Sequence, residues 1–111
     1  MLPRIIILSV ALLSGPLIAA PVGIVSAEEW ARPRSGEALT QMPGLKTAVA
    51  AYLSDSGHTL VIYHPVEEEG LLWAEELKTW LVALGIVADD VRLVPTAMDA
   101  DQLEIHLGSL D

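Results

Sequence analysis

The sequence of 111 residues holds no cysteine and no phenylalanine. Without cysteine there is no disulfide, no thiolate metal site and no thiol nucleophile within the chain. Without Phe, the three Trp and two Tyr carry the aromatic bulk. Positive charge is scarce: six Lys and Arg face 15 Asp and Glu, for a formal net charge of −9. That balance argues against general nucleic-acid binding and against affinity for anionic lipid heads. There is no Gly-rich phosphate loop, no G-x-S-x-G or S-x-x-K context around any hydroxyl, and no HxH, HxxxH or HExxH spacing around the histidines. Nucleotide cofactors, the common serine hydrolases and the common zinc enzymes are therefore not expected. No cofactor and no catalytic residue is assigned.

What the chain does contain is organised around Thr59 to Ile86. Leu60, Val61, Ile62 and Tyr63 form an unbroken apolar run of β-formers, which predicts a strand covered on both faces. Pro65 lacks an N–H and should end it near His64. Glu67, Glu68 and Glu69 follow, three carboxylates that complement the positive end of a helix dipole. Trp73, Leu77, Trp80, Leu81 and Leu84 then recur at spacings of three and four, which predicts an amphipathic helix. Gly85 is placed for a left-handed stop, with Ile86 folding back on Leu81.

Met1 to Ala27 has the layout of a secretory leader. Arg4 gives a positive start, Ile5 to Leu13 is apolar, and Val25-Ser26-Ala27 ends in small residues acceptable to a signal peptidase. Cleavage after Ala27 and a periplasmic location are expected, with no membrane attachment afterwards. The alternative is an inner-membrane anchor formed by an uncleaved segment 5–27, long enough to span a bilayer. A cut after Ala20 would place Pro21 unfavourably next to the bond. Glu28 to Met42 is expected to be an extended lead-in, with Trp30 free to dock on the domain or on a partner.

Residues 43–108 are expected to form a small α+β domain. Pro43 to Leu53 predicts a helix carrying Leu45, Val49, Tyr52 and Leu53 on one side. Val91 to Val94 predicts a short strand stopped by Pro95. Gln102 to Leu107 alternates, with Leu103, Ile105 and Leu107 on one face and Gln102, Glu104 and His106 on the other, which predicts a half-exposed or edge strand. The order is helix-strand-helix-strand-strand. It predicts a two-layer sandwich in which two helices cover one face of a small mixed sheet, with the strand-helix-strand unit parallel and the last strand antiparallel.

This layout, over roughly Leu45 to Leu107, resembles the C-terminal domain of the outer-membrane-protein-A-like family. Leu60-Val61-Ile62-Tyr63-His64 stands where that family has a strand running into Gly-His-Thr-Asp. Ala74 stands where the family has the Ala of its Arg-Ala pair, and Leu81, Gly85 and Ile86 where it has the Leu and Gly-Ile that close its long helix. The resemblance implies a cell-envelope setting and peptidoglycan as a candidate ligand. The ligand-gripping groups do not carry over. Pro65-Val66 stands in place of the family's Asp, Trp73 in place of its Arg, and the Asn-x-x-Leu-Ser run has no counterpart. Glu67 to Glu69 would also repel the carboxylates of such a ligand. The whole chain also resembles small secreted proteins of Gram-negative bacteria.

The expected function is that of an exported, non-enzymatic envelope protein acting through contact with a protein partner. The candidate interaction residues are Glu67, Glu68 and Glu69 of the acidic turn, Trp30, and Gln102, Glu104 and His106 of the last strand, taken as an edge open to an extended segment. The alternatives are a degenerate peptidoglycan-binding module and a small metal-dependent hydrolase. The latter would rest on His64 with Asp99 or Asp101.

Overall fold

The computed structural model describes residues 20–32, 34–54 and 58–109. The body of the expected leader, up to residue 19, lies outside these. The elements run β1 (Gly23–Ser26), α1 (Ala27–Trp30), α2 (Gly36–Thr40), α3 (Pro43–Leu53), β2 (His58–Pro65), α4 (Glu68–Ala83), a 3-10 turn at Ala88–Asp90, β3 (Val91–Thr96) and β4 (Gln102–Ser109). The sheet order is β1-β4-β2-β3. β2 and β3 are parallel, connected through α4, while β4 lies antiparallel between β2 and β1. The fold is α+β, a mixed sheet with α3 and α4 packed on one face.

The core follows from side-chain alternation along the strands. Leu60 and Ile62 of β2, Leu103 and Ile105 of β4, Val25 of β1 and Val91 of β3 all point to the helices and are buried. They meet Leu45 and Ala48 of α3 and Ala74, Leu77 and Leu81 of α4. Each large aliphatic side chain fully buried there contributes about 1.5–3 kcal/mol. The α4 stripe is centred on Ala74, with Trp73 and Trp80 half-buried at its margins. A small residue at the centre lets the helix lie close to the sheet.

The two main helices start and stop as their residues dictate. α3 begins with Pro43 in the first turn, where a missing N–H costs nothing. α4 has Glu67 at its N-cap and Glu68 and Glu69 in its first turn. Its end is a Schellman motif. Ile86 N–H donates to the Leu81 carbonyl at 3.0 Å, Gly85 N–H donates to the Val82 carbonyl at 3.0 Å, and Gly85 has φ +112°. Ile86 is buried, as that fold-back requires.

Several expectations need correction. The segment after Ala27 is not extended: α1 and α2 occupy most of it. Their starts are signalled by Ser26 and Ser35, whose side chains accept from the N–H groups of Glu29 and Ala38. Ser26 and Glu29 form a complete capping box. The first described element is a strand, and that strand lies inside the expected leader. β1 is tied at both of its ends, to β4 and to the residue before β4. Val25 is fully buried, Val22 N–H donates to the Ile105 carbonyl at 2.8 Å, and Ala27 N–H donates to the Asp101 carbonyl at 2.8 Å. Against α3, β1 packs backbone to backbone. A Cβ on Gly23 would stand 2.1 Å from the Gly44 carbonyl oxygen, and a Cβ on Gly44 the same distance from that of Ile24. A chain starting at Glu28 would lack this strand.

β4 is therefore not an edge. It is hydrogen-bonded on both sides, and the edges are β1 and β3. Among the described residues, β2 is covered by helices on one face only. β3 runs past the expected stop, through Pro95 to Thr96, which an edge strand tolerates because the missing N–H need not point at a neighbour.

Candidate interaction face

The side of the sheet away from α3 and α4 carries no helix among the described residues, and several candidate residues meet there. The period of two that buries Leu103 and Ile105 turns Gln102, Glu104 and His106 to this side. Register then sets their neighbours. Glu104 pairs with Ile24 on one flank and Tyr63 on the other, and Tyr63 pairs in turn with Val94. His106 pairs with Val61, and Val61 with Arg92.

The polar groups on β4 satisfy one another. Glu104 accepts from Gln102 Nε2 at 3.3 Å and from His106 Nε2 at 3.2 Å. The Tyr63 ring meets the His106 ring edge-on, with centroids 4.8 Å apart and planes at 85°, a geometry favoured by aromatic quadrupoles. Tyr63, Val61, Val94, Glu104 and His106 are half-buried by one another, and Ile24 is 43% exposed at the β1 edge. Thr96, Ala97 and Met98, leading from β3 towards β4, form a rim beside Tyr63 and His106 and leave a shallow hollow. Gly108 keeps the far end of the face tight, since a Cβ there would come 2.7 Å from Thr59 Oγ1 and 2.9 Å from Val61 Cγ2. The surface is thus a mixed sheet face, Ile24, Val61, Tyr63 and Val94 beside Gln102, Glu104, His106 and Arg92, around one aromatic pair. Its single carboxylate is already held by two donors, and Arg92 stands exposed on the β3 side.

The other candidates lie elsewhere. Glu67, Glu68 and Glu69 are exposed at the start of α4, and the N-cap residue Glu67 makes no side-chain cap hydrogen bond there. Trp30 is buried within its own domain. Its ring lies 6.4 Å from that of Trp73, and the Arg34 guanidinium carbon sits 4.7 Å over it. Arg34 also donates to the Trp30 carbonyl and pairs with Glu76 at 2.9 Å, which clamps α1 onto α4. Of the two docking modes open to Trp30, the structure takes the internal one. His64 is not at the surface either. It points into the core, 2% exposed, with Nδ1 2.8 Å from the Pro65 carbonyl, while Asp99 and Asp101 are exposed in the β3–β4 connection. Among the described residues no three His, Asp or Glu side chains are grouped to hold a metal ion.

Sequence reasoning missed Tyr63, the aromatic centre of this face. Its signal was the alternation hidden in the apolar run, which places Val61 and Tyr63 opposite Leu60 and Ile62. No helix of the described residues is long and apolar enough to cross a membrane. No protein family matches the chain, and no curated protein or solved structure matches it.

Proposed function

We propose that this chain is a small, exported, non-enzymatic protein of the cell envelope that works by docking a protein partner on the open face of its sheet. The observation that carries the reading is the patch of Ile24, Val61, Tyr63 and Val94 around the Gln102–Glu104–His106 row, which no helix among the described residues covers. Val61, Tyr63 and Val94 adjoin one another on β2 and β3, with Glu104 between Tyr63 and Ile24, and a tyrosine among apolar neighbours with satisfied polar groups beside it has the composition of an interface core. The exposed acidic turn at Glu67–Glu69 would add steering for a basic partner segment. In this reading any leader ends before Pro21, because β1 belongs to the folded domain.

The test is photo-cross-linking in cells, with a photoreactive residue at Ile24 or Val94 and a control at Leu72, which is 56% exposed on α4. Adducts from the two sheet positions and none from Leu72 are the expected outcome. Equal labelling from all three positions would remove the open face as a docking surface. Pelleting of the purified protein with isolated peptidoglycan, unchanged by Tyr63→Ser, would replace this reading with cell-wall binding.

A further inference from the structure

We infer that the occupant of the open sheet face is a second copy of this chain, packed face to face as a two-fold dimer. The inference rests on the docking reading above and names its partner.

The argument starts from charge. Two copies that each carry a net charge of −9 repel at long range. Most surfaces of the domain strengthen that repulsion. The α4 surface carries Glu68, Glu69, Glu75 and Glu76, and the connections around β3 carry Asp89, Asp90, Asp99 and Asp101. The open sheet face is different. Its charged residues are one acid, Glu104, already engaged by His106 and Gln102, and one base, Arg92. It is a near-neutral area on an acidic molecule, where a second copy can approach without a charge penalty.

The positions of those two charges also suit a two-fold arrangement. Strand order puts β4 and β3 on opposite sides of β2. A two-fold axis running along β2, between two facing sheets, lays β4 of each copy over β3 of the other. Register places Glu104 in the row of Tyr63 and Val94, and Arg92 in the row of Val61. Glu104 of one copy then faces Val94 of the second. Arg92 of the second copy lies one pleat repeat away, about 7 Å along the strand. The pairing occurs twice, as an isologous interface requires. Tyr63 and Val61 lie on the axis and meet their own counterparts. Four strands by about five residues give a patch of roughly 19 by 17 Å. Two such faces would bury roughly 650 Å² in flat projection, below the usual size of a specific stable contact. The dimer should therefore be weak and concentration-dependent.

The absence of cysteine from the sequence makes the test direct. Facing sheets stand about 10 Å apart, beyond the Cα separation a disulfide allows, so a short bismaleimide is the probe. The full chain carrying Tyr63→Cys or Val61→Cys is treated in cells and as purified protein, with Leu72→Cys as control. Two sheet positions are used so that failure of one variant to fold does not decide the outcome. The expected result is a homodimer of twice the chain mass from the β2 positions, and at least tenfold less from Leu72→Cys. Adding Arg92→Glu should reduce that yield several-fold, and adding Glu104→Arg to the same chain should restore it. Adducts of another mass from the β2 positions, without homodimer, would overturn the inference and keep the docking reading. No adduct from either β2 position would overturn both. Equal homodimer from Leu72→Cys would mean non-specific association and would also overturn it.

Discussion

At Tyr52 the fold couples a helix to a turn. The hydroxyl donates to Asp90 Oδ2 at 2.5 Å, joining α3 to the 3-10 turn before β3. That hydrogen bond raises the pKa of the phenol above its ordinary value, and burial and the charge of Asp90 act in the same direction. A tyrosine whose folded pKa exceeds its unfolded one, about 10, favours the native state while protonated. The contribution is complete below pH ~10 and is lost as pH rises through the folded value. Tyr52→Phe should therefore lower stability at neutral pH and flatten the alkaline limb of the stability curve. Urea unfolding midpoints between pH 7 and pH 11 would check this. An unchanged alkaline limb would mean that Asp90 does not hold the phenol in solution. Sequence alone set Tyr52 on the inner side of α3. It did not pair it with Asp90, because residues 38 positions apart meet only once the sheet has formed.

The elements differ in how far they can be read locally. α3 runs from Pro43 to Leu53 as its residues announce, and Gly85–Ile86 closes α4 as spacing requires. Both are decided within a few residues of chain. β1 is decided by distant partners. Gly23 pairs with Ile105 across the sheet and touches Gly44 from the side, while its own four residues sit in an apolar run that a leader would also have. Missing β1 made β4 look like an edge, since a strand is interior only if something lies beyond it. The alternation in β4 correctly grouped Gln102, Glu104 and His106, but it could not say that Tyr63 stands beside them. A proline at Glu104 would now break an internal ladder, not just block a docking edge. Two element-scale outcomes follow. A fragment of residues 28–111 should be far less stable than one of residues 20–111, by circular dichroism on heating, because it exposes Leu103 and Ile105 and forfeits the buried Val25. Within the longer fragment, Gly44→Ala should cost about 1–3 kcal/mol, the range for overpacking a tight contact. Equal melting of the two fragments would show β1 to be dispensable, and the expected cut after Ala27 would then be compatible with this fold.

On the scale of the whole molecule, charge and size act together. The folded part is small and holds its core, among the described residues, with 15 buried apolar residues on one side of a single sheet, so its stability margin is modest. Against that margin stands the self-repulsion of a chain with net charge −9. The described ion pairs that offset it are few, Arg34 with Glu76 and His106 with Glu104, and such partly exposed pairs contribute little. Salt therefore screens more repulsion than attraction here. Raising the ionic strength from about 0.01 M to about 0.15 M shortens the Debye length from roughly 30 Å to roughly 8 Å, less than the width of the domain. The melting temperature should rise over that interval by a few degrees, read by calorimetry at a protein concentration low enough to keep the chain monomeric. The same screening weakens the repulsion between two approaching copies, so the yield of the Tyr63→Cys adduct should rise with salt as well. If the contact depended chiefly on Arg92 and Glu104, that yield would fall instead, and the charge pair would replace the neutral sheet face as the main source of its affinity.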